Sequence, residues 1–347
     1  MNKTIIIGLP DDFYLGDLIK ENLIINGFDI IDISYKYKDF KYKSFFERSN
    51  NFVRKIFFKD KSFKLKLKFE RHRQRLLNTL NDMQYRADYA LLIRPDIYPD
   101  HFIELIKTKA HKMIAYQWDG LRRFPLVHNI IPLFDQFFVF DIQDYSIYQH
   151  QFSNLRYTTN FYFDTPRLLV PKKNYKHEIL YIGHFIRKRM PDIFKFIRII
   201  AHHKISFNIN IIVKAKYQIQ KTDLPVTYSI KRYTYEENIE MVKNASAIID
   251  FNNKIHTGLS FRPFEAICFE KKLITNNSDI KYYDFYNKEN IFIIEEDDEQ
   301  QLDDFLNTPY KKIDPSIKQK YSFTNWLHYI LDLQPYTPIN QPTGIPL

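Results

Sequence analysis

Short apolar runs alternate with longer amphipathic stretches along most of the 347-residue chain. Residues 3–8 form an apolar run that ends in glycine, residues 11–26 have helical apolar spacing, and residues 28–33 form a second apolar run. This order is typical of a βαβ unit. Further strand-like runs occur at residues 89–93, 112–116 and 136–140, with helical spacing at 100–109. Strands that alternate with helices predict a parallel sheet covered on both faces.

A second cycle of the same alternation begins near residue 178. Its strand-like runs lie at residues 179–183, 207–213, 247–251 and 272–275. Its helical stretches lie at residues 191–202, 235–244 and 261–270. The sequence therefore predicts an α/β protein with two doubly wound sheets in series, each of the Rossmann-like kind.

The same pattern gives the expected domain boundaries. We expect an N-terminal domain over residues 1–165 with a basic insertion at 36–75, and a proline-marked linker at 166–176. A C-terminal domain is expected over residues 177–320. Residues 321–347 are predicted to form a helix and a tail, because the four prolines near the end of the chain exclude a continued helix.

Ligands of open α/β sheets bind beyond the carboxyl ends of the strands. Two such domains facing each other would form a cleft, so we expect the functional residues directly after the predicted strands. The stretches concerned are residues 8–12, 94–96, 117–123, 141–144, 183–189, Lys214 and residues 252–265.

Composition narrows the class of protein. Hydrophobic residues make up 45% of the chain and aromatic residues 17%, which excludes disorder as the main state. The single cysteine, Cys268, excludes an internal disulfide and a cysteine-rich zinc site. We expect a cytoplasmic protein, because the first residues lack the pattern of a signal peptide and no apolar window approaches the roughly 20 residues that span a bilayer.

The formal net charge of +10 is concentrated in one block. Residues 36–75 carry 15 Lys or Arg and four acidic residues, a local charge of +11, and the bases alternate with Phe, Ile and Leu. Three interpretations stay open for this block. The first is a solvated helical pair whose apolar side chains pack inward. The second is a surface for anionic lipid headgroups, and the third is a surface for nucleic acid.

Residues 245–275, ASAIIDFNNKIHTGLSFRPFEAICFEKKLIT, carry the most informative motif. A predicted strand ends in a loop with Gly258, and a helix with Arg262 and Glu265 follows. The free N–H groups and the positive dipole end of a helix suit a diphosphate, with which Arg262 can pair. A carboxylate one turn in can accept bonds from both ribose hydroxyls. The alternative is that Glu265 merely begins a helix.

This segment resembles the donor-binding segment of GT-B glycosyltransferases, with matches at Gly258, Glu265, Ala266 and the strand at 271–275. The resemblance implies two Rossmann-like domains facing across a cleft, and a ribose contact from Glu265. The large retaining families carry E-x7-E, and the first glutamate is replaced here by Thr257. The strings TGLSFRPFEA, KKLIT and KYYDFYNKENIFII are further similar to bacterial lipopolysaccharide and capsule biosynthesis proteins assigned to glycosyl transfer.

A second cationic turn, YIGHFIRKRMPD, follows the first strand of the later domain. In GT-B enzymes this turn approaches the donor pyrophosphate, which implies close backbone approach at Gly183 and charge from Arg187, Lys188 or Arg189. Lys214, after the next strand, is a further candidate, as are Thr257 and Gly258. The alternative for this turn is a solvated, basic start of a helix. The alternative for Lys214 is a lysine that only lies at the surface.

In the N-terminal half, the stretch IAYQWDGLRRFP places polar residues directly after a strand. Asp119 is the candidate general base or the group that orients the acceptor hydroxyl, and Trp118 offers a flat face for a sugar ring. Arg122 and Arg123 are further acceptor-side candidates. Asp119 as a helix cap, or as a partner of Arg122, is the alternative.

A later FD..D pattern, which the resembling proteins share, consists of Phe140, Asp141 and Asp144. Helix capping is the favoured interpretation of these two carboxylates. No Asp-x-Asp triplet occurs in the chain. We therefore expect no metal and no cofactor, because basic side chains would neutralise the departing diphosphate.

The resemblance, together with these residues, implies a metal-independent glycosyltransferase with its acceptor side in the N-terminal domain and its donor side in the C-terminal domain. It would move a sugar from a nucleotide-sugar donor to a lipopolysaccharide, capsule or related surface-glycan acceptor, at the inner face of the cytoplasmic membrane. The expected partners are the donor, a lipid-linked or glycan acceptor and, through residues 36–75, an anionic membrane surface, but not nucleic acid. The alternative is a non-enzymatic two-lobed ligand-binding or sensory module.

Overall fold

The computed structural model describes residues 2–10, 15–36, 40–57, 63–170, 178–252, 257–294 and 296–345. The chain divides into two compact units: Met1–Phe140 with Asp144–Arg156 form unit 1, and Asp141–Gln143 with Tyr157–Leu347 form unit 2. Part of the expected basic insertion (37–39 and 58–62) and most of the expected linker (171–176) lie outside the described residues. Pro166–Leu168, at the start of that linker, is a short 3-10 helix.

Unit 1 is built on a six-stranded sheet with the order β2-β1-β3-β4-β5-β6, and the pairings from β1 to β5 are parallel. Its strands are β1 (Lys3–Gly8), β2 (Phe28–Asp32), β3 (Ala87–Ile93), β4 (Ala110–Gln117), β5 (Gln136–Val139) and β6 (Leu155–Tyr157). Its helices are α1 (Leu15–Ile25), α2 (Phe45–Phe57), α3 (Phe63–Glu70), α4 (Arg73–Asn81), α5 (Asp100–Lys109) and α6 (Ile142–Tyr148).

Unit 2 is built on a six-stranded parallel sheet with the order β12-β11-β10-β7-β8-β9. Its strands are β7 (Ile179–His184), β8 (Phe207–Ile212), β9 (Val226–Ser229), β10 (Ala247–Asp250), β11 (Lys272–Thr275) and β12 (Ile291–Ile293). Its helices are α7 (Met190–His202), α8 (Tyr235–Asn244), α9 (Phe261–Phe269), α10 (Leu302–Asn307), α11 (Pro315–Lys320) and α12 (Phe323–Leu331). The first and fourth strands of this unit are neighbours at its centre, which is the Rossmann order.

The predicted fold class is confirmed, because each unit is a doubly wound α/β sheet. Continuous apolar runs form the central strands, as in β1, where Ile5, Ile6 and Ile7 are all fully buried. Such runs are typical of strands covered on both faces. Among the described residues, no helix combines the length and the hydropathy that a membrane-spanning segment needs.

Capping residues fix where the helices at the functional edge of unit 2 begin. Thr234 and Glu237 form a reciprocal capping box at the start of α8. The Ser260 side chain accepts a hydrogen bond from the backbone N–H of Arg262 and so caps α9. Each cap places the first turn of its helix directly beyond the sheet, where the candidate side chains lie.

Candidate functional site

The carboxyl edge of the unit 2 sheet holds the predicted donor-binding residues. β7 and β10 pair side by side at the centre of this sheet, and the chain continues from them to opposite sides, toward β8 and β11. At such a switch point the two loops diverge and leave a crevice between them. The loops lead here into the first turns of α7 and α9.

Tyr181 fills the space beside Gly183. The two residues lie on the same face of β7, since side chains two positions apart in a strand point the same way. A Cβ atom at Gly183 would overlap the Tyr181 hydroxyl and would come within 2.6 Å of its Cζ. The tyrosine side chain therefore runs along the strand toward its carboxyl end, and glycine is needed to admit it.

Two arginines approach the Tyr181 hydroxyl from neighbouring helices. Arg189 is the N-cap residue of α7, and Arg262 is the second residue of α9. Burial raises the pKa of Tyr181, and the positive charges of Arg189 and Arg262 oppose this rise. Neither the buried Tyr181 hydroxyl nor the Nε of Arg189 has a hydrogen-bond partner of normal geometry within the described ranges.

Negative charge is also present at this edge. Asp250, the last residue of β10, acts with burial to raise the pKa of Tyr181. The first turns of α7 and α9 contribute the positive ends of their dipoles. Two guanidinium groups, the Tyr181 hydroxyl and two helix N-termini make this edge suitable for a phosphate group.

Glu265 holds Arg262 in place. Arg262 Nη1 donates to Glu265 Oε2 at 2.5 Å, and Arg262 Nη2 donates to Asn238 Oδ1 at 3.4 Å. The side chain of Glu265 is 3% exposed and that of Arg262 is 19% exposed. Burial lowers the pKa of Arg262, but the charge of Glu265, the hydrogen bond to it and the nearby Tyr235 and Asp250 together raise that pKa above its usual value.

Tyr235, the first residue of α8, is the second neighbour of the Glu265 carboxylate. Burial raises the pKa of Tyr235 well above its usual value, and the charge of Glu265 and a hydrogen bond to it add to this. Glu265 is thus bonded to two side chains of its own unit, and its contact with a ribose stays a prediction.

The remaining predicted donor residues differ in exposure. Thr257 donates from its hydroxyl to Asp141 at 2.6 Å and from its backbone N–H to the same carboxylate at 3.2 Å. Gly258 is buried next to it, whereas Arg187 and Lys214 are exposed. Among the predicted donor residues, the structure therefore gathers Arg189, Arg262 and Glu265 into the cluster around Tyr181.

In unit 1, Arg94 organises the predicted catalytic loop. Arg94 Nη1 donates to Asp119 Oδ2 at 2.6 Å, and its Nε and Nη2 pair with both carboxylate oxygens of Asp96 at 2.7 Å. The other oxygen of Asp119 accepts a hydrogen bond from Arg123 at 2.8 Å. Both oxygens of the candidate base are thus held by guanidinium groups.

Arg94 also has an unusual backbone conformation. Its φ of 58° lies in the left-handed region, which costs a non-glycine residue about 1–3 kcal/mol and persists only where the surroundings impose it. The side chain is 7% exposed, and its guanidinium lies 3.9 Å from the centre of the Phe124 ring. Such strain is common at functional sites. Arg94 lies in a stretch expected to be functional, but no role is predicted for it from the sequence.

The other residues of the loop that follows β4 differ in their exposure to solvent. Trp118 is half-buried, and the exposed Arg122 reaches Asp144 Oδ1 at 4.0 Å. Asp144 Oδ2 accepts a hydrogen bond from the backbone N–H of Leu121 at 2.6 Å, so it anchors the loop. Gln117 is fully buried, and its side-chain amide has no hydrogen-bond partner among the described residues.

A cavity of about 340 Å³ lies next to this network in unit 1. Leu65, Pro99 and Leu126 are among its apolar lining residues, and Asp96, Asp100 and His101 contribute polar groups. Asp96 therefore both lines the cavity and holds Arg94. The mixture of apolar surface and carboxylates suits a polyhydroxylated ligand such as a sugar.

The described residues contain no group of three or more His, Cys, Asp or Glu side chains arranged to hold a metal ion. Absence of a metal requirement stays a prediction.

The Gly183→Ala substitution tests the packing of Tyr181. We expect it to lower the free energy of unfolding by about 1–3 kcal/mol, because the added methyl group overlaps the tyrosine ring. Urea denaturation measures the change. Gly16→Ala is the control: among the described residues its Cβ would meet only Leu9 Cδ1, at 3.8 Å, so we expect no loss. A G183A variant as stable as the parent would show that the tyrosine does not occupy this space.

No protein-family model matches this chain, and no curated protein matches it. Solved structures do match. The catalytic domain of starch synthase IV from Arabidopsis thaliana, bound to ADP and acarbose, is 8% identical with a TM-score of 0.53, over 91% of this chain and 94% of that chain. A structure described as "Trehalose-6-phosphate from E. coli bound with UDP-2-fluoro glucose" is 10% identical with a TM-score of 0.53, over 89% and 92%.

A third match is a chain of the glycosylation-associated Gap123 complex from Streptococcus agalactiae. It is 12% identical with a TM-score of 0.42, over 72% of this chain, which spans about half (53%) of that longer chain. The two matches at a TM-score of 0.53 show the fold. The expected resemblance to GT-B glycosyltransferases is confirmed at that level.

Proposed function

We propose that this protein is a glycosyltransferase that moves a sugar from a nucleotide-sugar donor to an acceptor hydroxyl. The observation that carries the proposal is the approach of Arg189 and Arg262 to the buried Tyr181 hydroxyl at the switch point of unit 2. Solved structures of the same fold are bound to ADP with acarbose and to UDP-2-fluoro glucose. A nucleoside diphosphate is the anion that we assign to this edge.

The chemistry that we propose breaks the bond between the anomeric carbon and the diphosphate oxygen. The electron pair of that bond goes to the diphosphate, whose charge Arg189 and Arg262 neutralise. Glu265, which fixes Arg262, accepts bonds from the ribose hydroxyls, while Thr257 and Gly258 line the loop at its side. Lys214, Arg187 and the backbone at Gly183 approach the phosphates from the β7 and β8 loops.

On the acceptor side, we propose that Asp119 takes the proton of the attacking hydroxyl as the new glycosidic bond forms. Two observations support this role of Asp119. The residue lies in the loop that follows β4, and Arg94 fixes the orientation of its carboxylate. Trp118 would stack on the acceptor sugar, with Arg122 and Arg123 beside it. The neighbouring 340 Å³ cavity is a suitable place for the acceptor. The reaction in this scheme uses no metal and no cofactor.

For the acceptor, we propose a lipopolysaccharide, capsule or related lipid-linked glycan at the cytoplasmic face of the membrane. The similarity of residues 257–266 and 271–275 to surface-glycan biosynthesis proteins supports this class of acceptor. The +11 charge of residues 36–75 supports work at an anionic bilayer, because each basic residue near such a surface contributes about 1 kcal/mol.

A nucleotide panel tests the donor assignment. Thermal unfolding of the whole chain is followed with UDP, GDP, dTDP, ADP and CMP, and we expect one nucleotide to stabilise the protein, by about 2.7 kcal/mol at 100 times its dissociation constant. The Arg189→Met variant should lose this stabilisation. Lys195→Met, which removes an exposed base of the same helix, should keep it.

Donor hydrolysis across the matching nucleotide sugars separates an enzyme from a binding module. Stabilisation with slow sugar release to water supports the transferase. A protein that no nucleotide stabilises would contradict the proposal, and one that binds a nucleotide but neither hydrolyses nor transfers its sugar would be a binding module.

A further inference from the structure

Helix α2 turns its apolar side to the solvent. The helix has 13 residues, and six large hydrophobic side chains on it are exposed. Their exposed fractions are 84% for Phe45, 75% for Phe46, 61% for Phe52, 42% for Val53, 53% for Ile56 and 75% for Phe57. At 100° per residue these positions fall within an arc of about 140°, so they form one continuous face.

The polar side of α2 contacts the protein instead. Glu47 accepts hydrogen bonds from Arg71 at 3.3 Å and from the backbone N–H of Lys43 at 2.8 Å. Asn51 donates to the Tyr42 hydroxyl at 2.9 Å. The guanidinium of Arg54 lies 4.8 Å from the centre of the Phe63 ring, at the start of α3.

This orientation is the reverse of that of an ordinary surface helix, which buries its apolar face. Nearby, Phe69 of α3 follows the ordinary rule and is 1% exposed in the core of unit 1. The interpretation that the apolar side chains of residues 36–75 pack inward is therefore correct for Phe69 and wrong for α2. A continuous exposed apolar face of this size marks an interaction surface.

Charge identifies the partner. Exposed bases lie near α2 in the chain: Lys41 and Lys43 precede it and Arg48 lies within it, with Lys64 and Lys66 on α3. The one acidic side chain of α2, Glu47, is paired with Arg71. A second copy of the chain would bring an equal positive charge against this surface and would be repelled.

We propose that α2 lies in the interface of an anionic lipid bilayer. Its aromatic face enters the boundary between headgroups and acyl chains, and the surrounding bases bind the lipid phosphates. The membrane contact that we expect for residues 36–75 then consists of the insertion of one face of α2 as well as charge attraction. The proposal does not depend on the nucleotide site, so either can fail without the other.

Vesicle binding tests this inference on the full chain. Co-sedimentation is measured with vesicles of phosphatidylcholine alone and of phosphatidylcholine mixed with phosphatidylglycerol. We expect binding to the mixed vesicles, and at least tenfold weaker binding for the F46S/F57S variant. Y85S/Y217S is the matched control, because these aromatic side chains are 84% and 85% exposed outside α2, and it should bind like the parent.

A tryptophan at position 52 reports insertion directly. The F52W variant should show a blue shift and gain of emission with the mixed vesicles, relative to the parent protein with its two native tryptophans. Neutralising Lys64 and Lys66 should weaken binding at low salt and leave the blue shift of the bound fraction unchanged. These results together would support insertion of the helix.

Three outcomes would overturn the proposal. F46S/F57S bound as tightly as the parent, or F52W emission unchanged by vesicles, would leave only electrostatic attraction. A dimer that F46S/F57S dissociates, without vesicle binding, would assign the face to a second copy. Salt-sensitive RNA retention that this variant loses, again without vesicle binding, would assign it to nucleic acid.

Discussion

Replacing Arg262 by methionine is expected to abolish stabilisation by the nucleotide and to lower the free energy of unfolding by about 3 kcal/mol. The substitution removes one of the two guanidinium groups at the Tyr181 hydroxyl. It also leaves Glu265, whose side chain is 3% exposed, without its 2.5 Å partner. We place the loss at the lower end for a broken buried ion pair, because Arg262 itself is 19% exposed. Urea denaturation and the nucleotide panel measure the two effects.

The R262M/E265Q double variant separates stability from binding. Neutralising Glu265 removes the buried charge that R262M leaves unpaired, so we expect most of the lost unfolding free energy to return. Nucleotide stabilisation should not return, because neither replacement can pair with a phosphate. Arg198→Met, an exposed arginine of α7, is the control for removing an arginine. R262M with full nucleotide stabilisation would contradict the phosphate role of Arg262.

The order of elements could be predicted because parallel strands buried on both faces are continuous apolar runs. β1 has the predicted bounds of residues 3–8, and β7 extends one residue beyond the predicted 179–183. Strand order within each sheet could not be predicted in this way. It depends on which strand each crossover returns to, and apolar periodicity carries no information about that.

The candidate sites were only partly predictable, for a similar reason. Arg262 and Arg189 could be found because they are basic residues at the helix starts that follow predicted strands. Tyr181 could not, because within ILYIG it has the pattern of a core residue. Only the structure shows that its hydroxyl reaches the carboxyl edge, in the space that Gly183 leaves open.

Arg94 and helix α2 illustrate two further limits. Arg94 and Asp119 follow different strands, β3 and β4, and their pairing depends on the adjacency of those strands. For α2, the helical spacing of its apolar residues predicts one apolar face, but spacing alone does not say whether that face meets protein or solvent. Three interpretations of residues 36–75 therefore stayed open at the level of sequence.

Asp119→Asn is expected to lower the rate of glycosyl transfer about 100-fold or more, while nucleotide stabilisation persists. Asparagine retains an oxygen that accepts a hydrogen bond, but it cannot take the proton of the acceptor hydroxyl. Arg94 keeps both bonds to Asp96, so the buried guanidinium stays neutralised and the fold should lose only about 1 kcal/mol. Steady-state kinetics with donor and acceptor varied in turn measure the effect on kcat and KM.

Arg123→Gln is the matched control, because it removes the other bond to Asp119 and keeps the carboxylate. Arg123 is exposed and lies on the proposed acceptor side, so we expect R123Q to raise KM for the acceptor and to retain most of kcat. Equal losses of kcat in D119N and R123Q would mean that the Asp119 carboxylate serves to hold the loop. R123Q disturbs only the position of this carboxylate and does not remove it. Full turnover in D119N would assign proton removal to another group. A loss confined to D119N and to kcat follows only if the carboxylate itself takes part in the transfer, because a positional role would be shared with Arg123.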